Sequence, residues 1–549
     1  MAELAGLTAL IIEPHAGMRG SIQGMLSSAG VARIDYAISA GTAIYPLKQK
    51  SFDLVICEYD LGEGQDGQQL LEDLRYNNIL PASAIFIMVT AERTHGKVMS
   101  AASLGLNDYI LKPFTADMLI ERIARAVERR QALTRVQQLI DQGAFAEAID
   151  VSMEGERLHP RYQPELMRMR AELHLALGEP AEAEAIYLDL LPTRAVMHAR
   201  LGLAIILFMQ ERFSEAEEGL HALIADQPQY LEAYDWLAKA QEAQGRMTDA
   251  QTTLERVVAQ SPHALRRLRR LGLAALEAGD VDTAHRVFQQ VVNKARFSEY
   301  REPEDHVRLV KTAIAKGDIA LVPAVIRELT KTSSGIGKAP ACRAIAAAML
   351  HDHQGESDKA LEELQAAVAC AESVGMSNDI KILLAQGCLA NGLEQQAIDV
   401  MTVVASNVRT GDAMAKAMQV FAEAGREDLA QRVARESKRQ IADLVSAGAE
   451  KARLGDYRGA VDLMAQAAGR LPENPQVVFN AAVAALKCLD KEGWDAALGE
   501  QARAYIANAR RLDPRNPRMS LLTSMYRDLL KKYAITQSYQ HAPKSAGAT

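Results

Sequence analysis

The spacing of apolar positions changes at about residue 130, and the change divides the chain in two. Before it, short apolar runs alternate with amphipathic stretches. The runs are Leu7–Ile12, Ala32–Ala37, Leu54–Cys57, Ala84–Val89 and Tyr109–Leu111. The stretches near 17–29, 39–50, 67–77, 95–104 and from 115 onward carry apolar residues at helical spacing. Strands of this kind separated by helices predict a parallel sheet covered on both faces. The units predict an α/β flavodoxin-like, doubly wound domain over residues 1–130, with its chemistry outside the carboxyl ends of the strands.

From residue 131 the strand signals stop, and a helix–turn–helix pattern recurs roughly every 34 residues. It is marked by a turn glycine and an alanine five residues later. The pairs are Gly143/Ala148, Gly178/Ala183, Gly245/Ala250, Gly279/Ala284, Gly355/Ala360, Gly392/Ala397, Gly425/Ala430 and Gly455/Ala460. Glu211/Ala216 and Gly317/Val322 fit with one substitution each. The glycine suits the left-handed residue that ends a helix, and the alanine lets the second helix approach the first. Spacing loosens to 37–38 residues between Gly279 and Gly392, which predicts longer helices or loops there. Residues 131–534 therefore read as an all-α solenoid of about ten or eleven units, and 535–549 as a disordered tail. No Pro or Gly falls between Thr115 and Gln142, so a continuous or barely broken helix should join the two parts.

Composition narrows the function classes. Charged residues are 24% and hydrophobic residues 48%, which is globular. A net charge of −8 argues against a broad nucleic-acid surface. The five cysteines form no C-x-x-C pair and read as buried thiols in a reducing compartment. Apolar runs stop well short of the ~18 residues of a membrane span, and no basic leader opens the chain. A cytoplasmic protein without membrane insertion is expected.

The strand ends carry the candidate chemistry. They are Glu13-Pro14-His15, Glu58-Tyr59-Asp60, Thr90-Ala91 and Lys112-Pro113. Acids at two ends, a hydroxyl at the third and a lysine at the last point to a phosphoryl-and-metal pocket. The acids would hold Mg²⁺, while Thr90 and Lys112 would hold phosphate oxygens. Residues 5–128 resemble the receiver domains of two-component response regulators. The resemblance rests on Leu10-Ile11-Ile12, Met18-Arg19, Asp66-Gly67, Thr90-Ala91 and the run Asn107-Asp108-Tyr109-Ile110-Leu111-Lys112-Pro113-Phe114. It implies that Glu58 holds the phosphoacceptor position, that Glu13 and Asp60 belong to the acidic pocket, and that Thr90 and Tyr109 form a switch. The chain departs from the family pattern at three points. Pro14 replaces a second acid, Glu58 replaces the acceptor aspartate, and the loop Leu61–Gly67 is one residue longer, with Gly62 in place of a proline. Misplacing a reacting group by about an ångström costs on the order of 10²-fold. Three readings stay open. Glu58 mimics the phosphorylated state, or it pairs inertly with Lys112, or Glu58 or Asp60 accepts a phosphoryl group with Mg²⁺. No cofactor is expected unless the last holds.

The repeats resemble the tetratricopeptide repeat. Leu237, Gly245, Ala250, Leu254 and Pro262 fall at its signature offsets. So do Leu203, Ala204, Phe213, Ala216 and Pro228 in the unit before, and Leu271, Gly272, Gly279, Ala284 and Phe288 in the next. The resemblance implies a superhelical groove that binds a partner protein. Arg266, Arg267, Arg269 and Arg270 cluster on one groove-lining helix, either as a clamp for an acidic peptide or as a solvated face paired with neighbouring acids. Gly335-Ile336-Gly337-Lys338 lacks the earlier glycine and the following Ser/Thr of a phosphate loop. With no Ser/His/Asp or Cys/His grouping, an enzyme is not expected. The expected protein is a bacterial two-component signalling adaptor or scaffold. Its solenoid would bind a partner, a histidine kinase or another signalling protein would meet the receiver, and a homodimer is compatible with the sequence.

Overall fold

The apolar runs of the first domain become β1 (Thr8–Ile12), β2 (Arg33–Ala37), β3 (Leu54–Glu58), β4 (Ile85–Thr90) and β5 (Asp108–Leu111). This is a computed structural model that describes residues 4–533 except 5, 63–64, 78, 82, 92–107, 142–143, 194–195, 263, 297–300, 334, 372–374, 408–418 and 514–515. The helix expected at 95–104, Gly143 and the tail from 535 lie outside the described residues. All strand pairs are parallel, in the order β2-β1-β3-β4-β5. The central β3 and β4 are buried at every position, while the edge strand β2 exposes Arg33 and Tyr36.

Helices α1 (Ala16–Ser28), α2 (Ala40–Gln49), α3 (Gly67–Tyr76) and α4 (Ala116–Asp141) cover the sheet. Successive strand side chains point to opposite faces. Ala9, Ile11 and Ile56 therefore pack with Ile22 and Leu26 of α1 and Leu119 and Ile123 of α4. Leu10, Ile12 and Val55 pack with Ala43 and Leu47 of α2 and Leu70 and Leu74 of α3. This is the doubly wound arrangement the apolar pattern predicted.

Helix α4 does leave the domain unbroken. At 1.5 Å per residue it is about 39 Å long. Its first half packs through Leu119, Ile123 and Val127 on the sheet. Its second half packs through Leu133, Val136 and Leu139 on Ala148 and Leu166 of the first two repeats. Both domains thus share one rigid element.

Among the described residues only helices follow, from Phe145–Leu158 to Met519–Lys532. The turn glycines from Gly178 to Gly455 take positive φ. Where glutamate replaces glycine, the backbone keeps the same conformation: Glu211 has φ 62°. In the region of looser spacing the described helices end at Ala295, Thr332 and Ala371, and the next ones begin at Pro303, Ala339 and Asn378. One element departs from the regular pattern. Glu427–Arg453 is a single 27-residue helix, in which the second helix of one unit runs into the first helix of the next.

Candidate functional site

Parallel pairing brings the carboxyl ends of β1, β3, β4 and β5 to one edge of the sheet. There Glu13, Glu58 and Lys112 come together. The Lys112 ammonium donates to Glu13 Oε2 at 2.7 Å and also to Glu58 Oε2. All three side chains are largely buried, with Glu13 only 1% exposed. The other Glu58 oxygen, Oε1, accepts the Asp60 backbone N–H at 3.2 Å. Glu13 Oε1 accepts the His15 N–H at 2.9 Å.

Electrostatics explains why these charges tolerate burial. Desolvation alone would push the Glu13 carboxyl up. The Lys112 hydrogen bond, the His15 amide and the ammonium charge outweigh it and hold Glu13 below the ordinary 4.5. Desolvation alone would likewise pull Lys112 down, yet its hydrogen bonds to Glu13 and Glu58 and their charges hold it above the ordinary 10.5. Cys57, next to Glu58, is fully buried, and desolvation drives its thiol well above its usual range. It is an unreactive core residue.

The remaining sequence-predicted residues take separate places. Asp60 points its side chain along the loop, where Oδ1 accepts the Gly62 N–H at 3.0 Å. Thr90 is buried at the end of β4, and its carbonyl accepts the Lys112 N–H at 2.8 Å. Tyr109 pairs in register with Met88 and packs half-buried on the α2–α3 side of the sheet. The Lys112–Pro113 peptide is cis. Gly67 is required by close approach, since a Cβ there would lie 2.4 Å from the Glu58 carbonyl oxygen. Asp66 caps α3 by accepting the Gln69 N–H at 2.8 Å.

Sequence reasoning missed Arg19, whose guanidinium donates to the carbonyls of Glu13 and Pro14 at 2.7 and 2.9 Å. It fixes the corner that carries Glu13. It also missed Asp53, at the opposite edge of the sheet, which accepts from Thr8 at 2.8 Å and from Arg130 of α4 at 2.9 Å. Position alone, just before a buried strand, was the available signal for Asp53.

The space between the Glu13 and Glu58 carboxylates is taken by a cation of the chain's own, the Lys112 ammonium. Pro14 offers no side-chain oxygen. Among the described residues no group of three His, Cys, Asp or Glu could hold a metal ion.

In the solenoid, the arginine cluster splits. Arg267 pairs with Asp235 at 2.8 Å, Arg270 with Glu242 at 2.9 Å and Arg269 with Asp305 at 2.9 Å. These pairs cross between neighbouring repeats. Arg266 alone is exposed.

The response regulator receiver domain family matches residues 9–124. Chemotaxis protein CheY-3 of Vibrio cholerae is 32% identical over 120 residues, which span 22% of this chain and 91% of the relative. The chain belongs to the response regulator receiver family. Chemotaxis protein CheY of Pseudomonas aeruginosa is also 32% identical, over 22% of this chain and 95% of its own length. The tetratricopeptide repeat family matches residues 168–230, 201–264 and 237–300. A tetratricopeptide repeat protein from Parabacteroides merdae covers 47% of this chain and 97% of its own, at 15% identity and a TM-score of 0.30. A receiver joined to such repeats is a response regulator whose output module is a protein-interaction array. Both modules are of signalling and interaction kinds. No helix among the described residues is long and apolar enough to cross a membrane.

Proposed function

We propose that this response regulator is a signalling adaptor whose receiver is held in one state by its own side chains, and whose solenoid binds a partner protein. The observation that carries the reading is the Lys112 ammonium bridging Glu13 and Glu58. The lysine expected to hold a phosphate oxygen already holds two carboxylates. The Glu58 carboxylate supplies negative charge at the end of β3 without chemistry. In this reading the protein acts in the cytoplasm without enzymatic activity, Mg²⁺ or nucleic acid, and the receiver remains a docking face for a kinase or another signalling protein.

The competing reading, phosphoryl transfer to Glu58 or Asp60, makes a different prediction. Full-length protein treated with acetyl phosphate and Mg²⁺ should show no gain of a phosphoryl group by intact mass. A stoichiometric, Mg²⁺-dependent gain that disappears in Glu58→Gln or Asp60→Asn would overturn the proposal and identify the acceptor.

The solenoid's role is supported by a cleft of about 390 Å³ between Glu427–Arg453 and Pro475–Glu492, which Val445, Phe479, Asn480 and Arg518 help to line. That size suits a side chain or short segment of a partner. Arg518 lies over the Phe479 ring at 5.2 Å.

A further inference from the structure

The final helices, Ala496–Leu512 and Met519–Lys532, stack on their neighbours and also meet the first repeat. Arg527 Nη1 lies 2.6 Å from Glu147 Oε1, although the two residues are 380 positions apart. The Arg510 guanidinium lies 4.2 Å from the centre of the Phe145 ring and donates to Thr523 at 2.5 Å. Arg510 is only 5% exposed. Glu147 and Phe145 belong to the helix that directly follows α4.

Charged pairs elsewhere in the array join repeats one or two apart that also share apolar clusters; this contact joins the two ends without one. The first two repeats centre on Val136, Ala148 and Leu166. The last helices centre on Leu498, Leu522 and Tyr526. Among the described residues these remain separate clusters. What joins them is polar and incompletely satisfied: Glu147 Oε2, Arg510 Nη1 and Arg527 Nε are buried without a hydrogen-bond partner. Unsatisfied buried groups subtract from the net stability of a contact. Coulombic attraction with few apolar contacts makes a junction that a small change can break. Glu147 and Arg527 are each more than a third exposed, so water can reach the pair.

We propose that Glu147, Phe145, Arg510 and Arg527 form a releasable latch that holds the two ends of the solenoid together, and that the receiver sets the latch through α4. A closed latch limits how far the array can open along its groove. Its regulatory meaning rests on the groove reading above; its existence does not, and it is measured without any partner.

The test is hydrogen exchange on the full chain, with small-angle scattering beside it. Glu147→Arg and Arg527→Glu should each speed exchange of Phe145–Leu158 and Met519–Lys532 by about tenfold and enlarge the radius of gyration. The double reversal should restore both. Single reversals that leave exchange and size unchanged, or a double variant no better than the singles, would overturn the latch. Lys112→Met should alter exchange of the same two helices, and a Gly-Gly insertion after Ala132 should abolish that effect. Unaltered exchange on Lys112→Met would overturn the receiver's part.

Discussion

At the receiver site the acid that ends β3 is a glutamate. Glu58 is one methylene longer than aspartate, and its carboxylate meets the Lys112 ammonium. Removing that ammonium leaves two buried carboxylates unpaired, so Lys112→Met should destabilise the receiver by roughly 3–5 kcal/mol, read by hydrogen exchange of β1 and β3. The pH dependence has a definite sign. Glu13 is depressed, so its contribution is present above 4.5 and is lost as pH falls through its folded value. Lys112 is raised, so its contribution is complete below 10.5 and is lost as pH climbs through its folded value. The bridge should therefore add no pH dependence between about 6 and about 9. In Lys112→Met only the His15 hydrogen bonds still oppose burial at Glu13, so its carboxyl should rise and the loss of stability on the acid side should shrink. The strand-end residues were legible from the sequence because each follows an apolar run. That one lysine would bridge two of them was not, because the bridge joins residues 99 and 54 positions apart. At Glu211 the repeat pattern and the backbone agree against the side chain. A left-handed conformation costs an ordinary residue roughly 1–2 kcal/mol. Glu211→Gly should therefore stabilise the array by up to about 1 kcal/mol once the glycine's greater unfolded-state freedom is deducted, measurable as a higher urea midpoint.

At the scale of elements, α4 is the part that couples the domains. The absence of Pro and Gly from Thr115 to Gln142 foretold its continuity, since those residues weaken a helix interior most. The structure adds what grips it. Arg130 reaches back to Asp53 at 2.9 Å, while its neighbour Arg129 reaches forward to Glu165 at 2.9 Å. Inserting Gly-Gly after Ala132 parts the half of α4 that packs on the sheet through Leu119, Ile123 and Val127 from the half that packs on the repeats through Leu133, Val136 and Leu139. The two domains should then reorient independently, which a broadened small-angle scattering profile would report; an unchanged profile would show that α4 does not fix their orientation. The Glu427–Arg453 helix was not foreseen as one piece. Its units were located by Gly425 and Gly455, which bound it; no proline divides its two halves, and Gly448 is accommodated inside the helix.

In the whole molecule, charged pairs run from repeat to repeat along the array. Asp305, 1% exposed, lies beside both Arg269 and Arg308. Arg308 in turn holds Asp379 at 2.8 Å, two repeats along. Asp305→Asn would leave buried cations undercompensated, and a loss of about 3 kcal/mol is expected. Because each repeat contacts mainly its neighbours, faster exchange should be confined to Leu265–Glu277, Pro303–Lys316 and adjacent helices, with β1 and β3 unaffected. A uniform loss across both domains would show that the chain unfolds as one unit.

By itself the sequence determined the kind and order of the elements: a five-stranded α/β domain, one long connecting helix and a glycine-punctuated array. Periods of two and 3.6 residues and the conformational needs of glycine are local properties, so they can be read from a window of a few turns. Only the tertiary structure decided that Lys112 serves two acids, that three of the four clustered arginines are spent on neighbouring repeats, and that Arg527 meets Glu147. Those contacts depend on small rotations between successive helices and strands. They accumulate over tens to hundreds of residues, and no local pattern encodes their sum.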